Sequence, residues 1–375
     1  MTPSPKDAAT GFGANEWLVD ELYQAYLTDK SSVDEAWWDF FADYKPSDGS
    51  AVRPHSVVPA AKAAPQAAAV PTPAPTPAPT PAPTAVSPTP PAVSPPVPAP
   101  AAVATPPAPE STHVERLRGP AARVVANMEA SLTVPTATSV RDVPAKLLID
   151  NRTVINNHLA RGRGGKVSFT HLIGYAIVLA AKQVPAMNFS FTELDGKPAI
   201  ALHEQINLGL AIDVAKADGS RTLLVPSIKD AQSMDFAAFW GSYEDVVRRA
   251  RQGSLEVSDF QGTSISLTNP GTIGTSHSVP RLMPEQGTIV GVGAMEYPAE
   301  WQGASEEARV RNAVSKIMTL TSTYDHRIIQ GAQSGEFLKR IHELLLGGDN
   351  FYEKVFRSLR IPYEPIQWAA DISAS

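Results

Sequence analysis

The sequence predicts an α/β layered domain with a mixed sheet and helices covering one side. Residues 206–214 alternate between apolar and other side chains, which is the pattern of a strand with two distinct faces. Residues 168–184 instead repeat apolar side chains at helical spacing. With 375 residues and 43% hydrophobic content, the chain has material for one substantial core and appendages.

The remaining elements of this domain follow from the same two periodicities. Apolar residues at intervals of three and four predict further helices over 143–161 and 233–251. Shorter apolar runs predict strands at about 262–268, 287–295 and 310–323. Helices and strands therefore alternate, and this alternation favours the layered fold.

The first 45 residues form a separate, aromatic-rich segment. Its apolar residues predict one or two short helices; they are Trp17, Leu18, Leu22, Tyr26, Leu27, Val33, Trp37, Trp38, Phe40 and Phe41. So short a segment cannot bury this apolar face by itself. We therefore expect residues 1–45 to dock on a partner surface or on the remainder of a larger chain.

A spacer follows over residues 46–115. From about residue 50 to 112 it consists almost purely of Pro, Ala, Val and Thr, and Pro-Thr-Pro-Ala repeats through residues 71–84. Proline removes amide donors and favours polyproline II at about 3.1 Å per residue. The composition predicts a disordered, semi-stiff linker.

Composition also excludes several classes of function. The net charge of −6, without a basic tract interleaved with aromatics, argues against nucleic-acid binding. Cysteine is absent, so disulfides and catalysis by a protein thiol are excluded. No apolar run approaches the roughly 18 residues that span a bilayer, and no signal-peptide profile is present, so we expect no membrane association and a cytoplasmic location.

No metal site is predicted, because no Cys, His and carboxylate side chains occur at metal-ligand spacing. His158, His171 and His342 lie on segments of helical periodicity and are expected on helix faces. His277 is expected in a solvated loop.

One strand-to-helix turn carries the residue with the clearest chemical potential. His326 follows a β-branched strand ending near residue 323, and helical periodicity resumes from Phe337 until Gly347. A histidine at such a turn can act as a general base, since the unperturbed imidazole pKa is about 6.5. Taken alone, His326 also fits a core histidine bonded to backbone.

The string Asp325-His326-Arg327-Ile328-Ile329-Gln330-Gly331 resembles the Asp-His-Arg-x-x-Asp-Gly signature of the 2-oxo acid dehydrogenase acyltransferases, relatives of chloramphenicol acetyltransferase. Gln330 departs from the family, which usually carries Asp there. Further blocks resemble the family in the same order: Arg123–Thr136, Asn207–Val214, Leu224–Ala231 and Ser264–Gly274. The resemblance implies a chloramphenicol acetyltransferase-like fold and a catalytic domain over residues 116–350.

The resemblance also implies roles for individual residues. His326 would deprotonate the thiol of coenzyme A as it approaches an acyl thioester. Thr268 would donate to the developing oxyanion, although by itself it also fits a strand threonine chosen for β propensity. Gln330 would orient the imidazole as a neutral amide. Asp325 and Arg327 would form an ion pair that supports the turn.

In this family the active sites lie between the subunits of a trimer, so the resemblance implies that His326 and Thr268 meet from neighbouring chains. No residues gripping the adenosine end of coenzyme A are identifiable.

The N-terminal strings Asn15–Tyr26 and Trp37–Phe41 resemble the tail of 2-oxoglutarate dehydrogenase, the thiamine-dependent decarboxylating component. No lipoyl domain precedes residue 116. Tail, spacer and acyltransferase core together resemble the N-terminal part of the fused multifunctional 2-oxoglutarate dehydrogenase or decarboxylase of certain bacteria. Residues 351–375 are then expected to connect to a thiamine diphosphate and magnesium domain absent from this chain.

The expected function is succinyl transfer from a dihydrolipoyl thioester to coenzyme A in the tricarboxylic acid cycle. The lipoyl group would come in trans from a lipoyl-bearing acyltransferase protein, with dihydrolipoamide dehydrogenase as a further partner. One alternative remains: because Gln330 replaces Asp, the core is a catalytically weak trimerisation scaffold for the attached decarboxylase. A free-standing antibiotic acetyltransferase is disfavoured by the tail and the spacer.

Overall fold

The computed structural model describes residues 16–30, 33, 37–44, 116–117, 120–162, 164–215 and 221–368. Its helices are α1 (Glu16–Thr28), α2 (Trp38–Asp43), α3 (Pro120–Ser131), α4 (Lys146–Arg161), α5 (Phe169–Gln183), α6 (Phe236–Gln252), α7 (Val257–Phe260), α8 (Glu306–Arg311), α9 (Gly331–Leu345) and α10 (Phe351–Ser358). Its strands are β1 (Thr136–Pro144), β2 (Ser190–Leu194), β3 (Lys197–Ala201), β4 (Leu208–Leu210), β5 (Ile212–Ala215), β6 (Arg221–Leu224), β7 (Ser227–Ile228), β8 (Ile265–Thr268), β9 (Thr288–Val292) and β10 (Ile317–Asp325). The predicted spacer at 46–115 lies outside the described residues.

A six-stranded mixed sheet forms the centre of the domain. The strand order is β1-β10-β9-β8-β4-β7, in which β4, β8 and β9 run parallel and the other pairs are antiparallel. On one face the apolar side chains of β4, β8, β9 and β10 pack with α5 and α9 in a single buried cluster. The predicted α/β layered fold with a mixed sheet is confirmed.

Local sequence signals set the ends of the covering helices. Ser168 caps α5, because its Oγ accepts the His171 backbone N–H at 3.2 Å. Asp235 caps α6 in the same way through the backbone N–H of Ala238, at 2.8 Å. The C-terminus of α6 is Gly253, whose φ of 70° is a left-handed conformation that glycine adopts without steric cost.

Three differences from the predicted boundaries have a clear structural cause. The alternating segment 206–214 is not one strand, because the chain leaves the central sheet at Ala211 and continues as β5 in a separate hairpin with β6. The helix predicted from 143 begins at Lys146, since Val143 still pairs with Met318 in the sheet. The strand predicted from 310 begins at Ile317, and α8 precedes it.

The N-terminal helices pack on the main domain of the same chain. A second apolar cluster joins α1 and α2 to β6, to the end of α6 and to α7; its buried members are Val19, Val33, Trp37, Phe41, Tyr44, Leu224, Ala250, Leu255 and Phe260. Trp37 is 2% exposed and its Nε1–H donates to the Leu255 carbonyl at 3.2 Å. The surface that covers the predicted apolar face thus belongs to the chain itself.

Residues after 350 also pack into the main core. Phe351 and Phe356 of α10 are buried there, so the boundary predicted at 350 is not a break in packing. Further on, Asn151 of α4 holds the backbone of Ile366 by two hydrogen bonds of 2.8 and 2.9 Å. A C-terminal strap therefore lies against α4 as far as the described residues extend.

Candidate functional site

His326 lies in the turn directly after β10 and is exposed in the single chain. Its backbone N–H donates to the Pro135 carbonyl at 2.9 Å, and its Nδ1 lies 3.0 Å from the Ile329 carbonyl. A carbonyl oxygen can only accept, so Nδ1 must carry the proton. Nε2 is then left with a free lone pair, which is the state that a general base requires.

An ion pair between the buried Asp325 and the exposed Arg327 supports this turn. Asp325 is 2% exposed and accepts from the backbone N–H of Arg327 at 3.0 Å and from its guanidinium at 2.6 to 3.1 Å. The guanidinium also stacks on the Phe191 ring of β2, with its carbon 3.7 Å from the ring centroid. The predicted pair is present, and it connects the His326 turn to the β2–β3 hairpin.

Gln330 is the residue before α9 and is exposed. Its backbone N–H donates to Gln333 Oε1 at 2.8 Å. Among the described residues, the His326 ring is hydrogen-bonded to the Ile329 carbonyl and not to Gln330. The predicted ring-orienting role of Gln330 stays a prediction, and a backbone carbonyl already performs that task within one chain.

Thr268 ends β8, on the far side of β9 from His326. Thr268 pairs with Gly291, and Gly291 pairs in turn with Thr321 of β10. His326 comes five residues after Thr321, which places it about 17 Å further along the strand direction at about 3.3 Å per residue. The structure therefore brings Asp325, His326 and Arg327 together and leaves Thr268 apart from them in the single chain.

Thr268 lies on the wall of a cavity of about 710 Å³. Among the described residues, four cationic and two acidic side chains line this cavity: Arg152, Lys166, Arg221, Arg251, Asp213 and Glu244. Its formal charge is positive although the whole chain carries −6. Next to Thr268, Asn269 donates to Thr170 Oγ1 at 2.8 Å and fastens the loop to α5.

These cations are not a group in the sequence, because they come from α4, from the segment before α5, from β6 and from α6. The Arg152 Nε–H donates to the Val167 carbonyl at 3.0 Å, and burial lowers the pKa of this guanidinium. Arg221 pairs with Asp213 across the hairpin, and this hydrogen-bonded pair raises the Arg221 pKa. No local motif could have indicated them, since only the fold brings them to one cavity.

His171 lies on a helix as predicted, but it is buried and lines the same cavity. Its Nδ1 accepts the Ser168 backbone N–H at 3.1 Å, so Nε2 carries the proton and donates to Glu244 at 3.0 Å. Burial, and then Arg152, lower the His171 pKa to about 4. The Glu244 side chain is 56% exposed, so water screens its charge.

Two further histidines, His158 and His342, have structural contacts away from the site. His158 contacts the Tyr363 hydroxyl at 2.8 Å, and His342 contacts the Asp142 carbonyl at 3.2 Å. Within the described part of the chain, no three His, Cys, Asp or Glu residues are arranged to hold a metal ion. Over the same residues, no helix is both long and apolar enough to cross a membrane.

Comparison with known proteins adds to this geometry. Residues 109–351 match the family described as 2-oxoacid dehydrogenases acyltransferase (catalytic domain), and residues 11–48 match the 2-oxoglutarate dehydrogenase N-terminus. The chain is 55% identical over 383 residues to the "Multifunctional 2-oxoglutarate metabolism enzyme" of Mycolicibacterium vanbaalenii, a match that covers 99% of this chain. The chain spans about 30% of that curated relative's length.

Solved structures share the fold. The dihydrolipoamide acetyltransferase of Azotobacter vinelandii is 24% identical and superposes with a TM-score of 0.54 over 64% of this chain and 97% of its own. The cubic core of a pyruvate dehydrogenase multienzyme complex gives the same values. With the family matched over residues 109–351 and its fold present, the chain belongs to the 2-oxoacid dehydrogenase acyltransferases.

Proposed function

We propose that the chain transfers a succinyl group from a dihydrolipoyl thioester to coenzyme A. The observation that carries this proposal is the hydrogen bond between His326 Nδ1 and the Ile329 carbonyl. It fixes the tautomer in which Nε2 can take a proton from an incoming thiol. The family membership supplies the reaction class, and this tautomer supplies the base.

In the proposed reaction, the acyl group passes from the dihydrolipoyl sulfur to the coenzyme A sulfur through a tetrahedral intermediate. His326 Nε2 takes the coenzyme A proton, and the thiolate sulfur forms a bond to the thioester carbonyl carbon. The Thr268 hydroxyl donates to the resulting oxyanion, an interaction worth about 2.7 to 4 kcal/mol in comparable sites. The intermediate then expels the dihydrolipoyl thiolate, which takes the proton back from the imidazolium. In this proposal Gln330, as a neutral amide, helps to orient the imidazole in the assembled site.

Two neighbouring chains complete each site in this proposal. The separation of Thr268 and His326 along the sheet supports it, since general-base and oxyanion groups must both lie within about 3 Å of the reacting atoms. A closed trimer, in which each chain contributes His326 to one site and Thr268 to the next, satisfies this requirement with one repeated interface. The structure with the shared fold that is described as the cubic core of a pyruvate dehydrogenase multienzyme complex supports assembly of several chains.

The cavity beside Thr268 is the proposed binding site for coenzyme A. Coenzyme A carries a diphosphate and a 3′-phosphate, and cationic side chains bind phosphate oxygens by charge-assisted hydrogen bonds. Arg152, Lys166, Arg221 and Arg251 supply such donors. A volume of about 710 Å³ falls in the range of small-molecule and cofactor sites.

The succinyl group and the wider setting rest on the relatives. The multifunctional 2-oxoglutarate enzymes and the matched 2-oxoglutarate dehydrogenase N-terminus support a four-carbon acyl group. In this proposal the whole protein also decarboxylates 2-oxoglutarate with thiamine diphosphate and magnesium outside the present chain. A lipoyl-bearing acyltransferase protein delivers the acyl group, and dihydrolipoamide dehydrogenase reoxidises the carrier.

Mixing the purified protein with succinyl-dihydrolipoamide and coenzyme A tests the proposal. We expect formation of succinyl-coenzyme A that is lost in His326→Ala. The absence of turnover in the unmodified protein, with an intact trimer, would instead support the scaffold alternative.

A further inference from the structure

The β5–β6 hairpin separates the proposed coenzyme A cavity from the N-terminal helices. In its register Asp213 pairs with Leu223, and Val214 pairs with Thr222. Paired residues of antiparallel strands share one face, and successive residues face opposite sides. The hairpin therefore has an inner face and an outer face with different neighbours.

The inner face lines the cavity. Asp213, Arg221 and Leu223 belong to its wall, and Arg221 is held by its ion pair with Asp213. One of the four cavity cations thus depends on the position of this hairpin.

The outer face packs against the N-terminal helices. Leu224 is buried in the cluster that includes Trp37 and Phe41, and Val214 packs against the same cluster. Trp37 stacks on Phe41 with ring centroids 5.2 Å apart and is fastened to the core by its bond to Leu255. The aromatic cluster therefore supports the hairpin from the side opposite the cavity.

An isolated two-stranded hairpin is marginally stable in water and needs packing to hold its shape. In the part of the chain that the structure describes, β5 and β6 form a two-stranded sheet separate from the six-stranded sheet. We infer that docking of α1 and α2 holds the β5–β6 hairpin where its inner face can bind coenzyme A, so that release of these helices weakens coenzyme A binding. Trp37 is then a positioning residue that acts through Leu224 and Val214.

This inference rests on the proposed coenzyme A site, and one experiment on the full chain separates the two. Coenzyme A is titrated calorimetrically into the unmodified protein and into Trp37→Ala, Phe41→Ala and Leu27→Ala. Leu27 of α1 is 59% exposed and serves as the matched control. Hydrogen exchange is followed at residues 212–215 and 221–224, with 288–292 of the central sheet as reference.

We expect Trp37→Ala and Phe41→Ala to raise the coenzyme A Kd at least about fivefold, as when the competent state falls to roughly one fifth of the population. Exchange should accelerate in the hairpin and stay unchanged in β9. In turnover, KM for coenzyme A should rise while kcat at saturation is kept, and Leu27→Ala should match the unmodified protein.

Two results overturn the inference. In the first, the hairpin exchanges faster in Trp37→Ala but the coenzyme A Kd is unchanged. In the second, the hairpin exchange is unchanged although the exchange of α1 shows that the helices are released. If the unmodified protein binds no coenzyme A, it is the proposed site that fails, whatever the hairpin does.

Discussion

Thr268 and His326 lie near opposite ends of the same sheet. Thr268 and Thr321 both pair with Gly291 and so lie at the same height along the strands. His326 comes five residues after Thr321, just past the end of β10. A thiol held by His326 in one chain is therefore out of reach of the Thr268 hydroxyl of that chain. If both residues act in one reaction, each must act with a residue of a neighbouring chain.

Subunit mixing tests this arrangement directly. His326→Ala and Thr268→Ala should each lose activity, the first by about 10²–10⁴-fold and the second by about 10²–10³-fold. Random co-assembly of the two variants as trimers should restore about one quarter of the sites, because a site is intact only when the His donor and the Thr donor are both unmodified. Succinyl-coenzyme A formation measures the recovery.

Thr268→Ser is the control for the oxyanion donor, since it keeps the hydroxyl and should lose far less activity than Thr268→Ala. Failure of the mixed assembly to regain activity, with trimers verified by mass, would contradict a site shared between chains.

Gln330→Asp tests whether the amide at position 330, where the family usually has Asp, lowers kcat. We expect turnover within about threefold of the unmodified protein, because the Ile329 carbonyl already holds the His326 Nδ1–H. Stability should rise by about 0.5 to 1 kcal/mol, since Asp is a better residue than Gln before a helix. A gain of more than tenfold in kcat would favour the scaffold alternative.

Asp325→Asn should destabilise the protein by about 2 to 3 kcal/mol, because it removes the charge of a buried carboxylate that accepts three Arg327 donors. Asp150→Asn is the matched control: Asp150 pairs with Lys146 on the surface of α4, and the loss should stay below about 0.5 kcal/mol. Urea denaturation of both variants gives the comparison. Equal losses would show that the Asp325 pair is no stronger than a surface pair.

Arg251→Gln should raise KM for coenzyme A about fivefold and leave kcat unchanged, because it removes a phosphate-binding charge and not a reacting group. Arg248→Gln is the control on the same helix, since Arg248 is paired with Asp245 and does not line the cavity. The difference between the variants should shrink as salt is raised from 0.05 to about 0.5 M. Equal KM values for the Arg251→Gln and Arg248→Gln variants at low salt would show that Arg251 does not bind coenzyme A.

Protonation of His171 should destabilise the protein in acid. The folded pKa of about 4 lies below the ordinary value near 6.5, so between these values the unfolded chain binds more protons than the folded chain. The contribution of His171 to the free energy of unfolding is therefore full above pH 6.5. It is lost as the pH falls towards 4, by about 3 kcal/mol in total.

In His171→Gln, an amide oxygen can still accept the Ser168 backbone N–H but does not titrate. The free energy of unfolding, measured by urea at pH 4 to 7.5, should fall less steeply with acid in the variant than in the unmodified protein. Parallel curves would show that His171 is not the titrating group.

The sequence predicted most of the elements that carry the chemistry. The strand before His326 and the helix after it were both apparent, since strand and helix periodicities are local properties of the chain. The strand predicted over residues 310–316 was wrong, and the reason is also local. Ser305 accepts the Ala308 N–H at 3.2 Å, and Glu306 and Glu307 follow in the first turn of α8, an N-cap signal that outweighs the apolar Val310.

The division of residues 206–214 into β4 and β5 had no such local sign. Their alternation is continuous. The Ala211 N–H still donates to the Leu267 carbonyl of β8 at 3.0 Å, whereas β5, which follows, pairs with β6 in a separate hairpin. A two-residue period describes both strands equally well, and only the neighbouring strands decide where one ends.

By itself, the sequence determined the reaction class and the layered fold and made His326 the candidate base, because each inference depends on residue types at fixed short spacings. Tertiary structure alone decided the rest: the Nδ1 proton of His326, the distance between His326 and Thr268, the cationic cavity and the docking of Trp37 against the core. Each of these is a contact between segments tens to hundreds of residues apart or a choice of one acceptor among several. Such contacts are selected by the packing of the whole domain, and no local pattern specifies them.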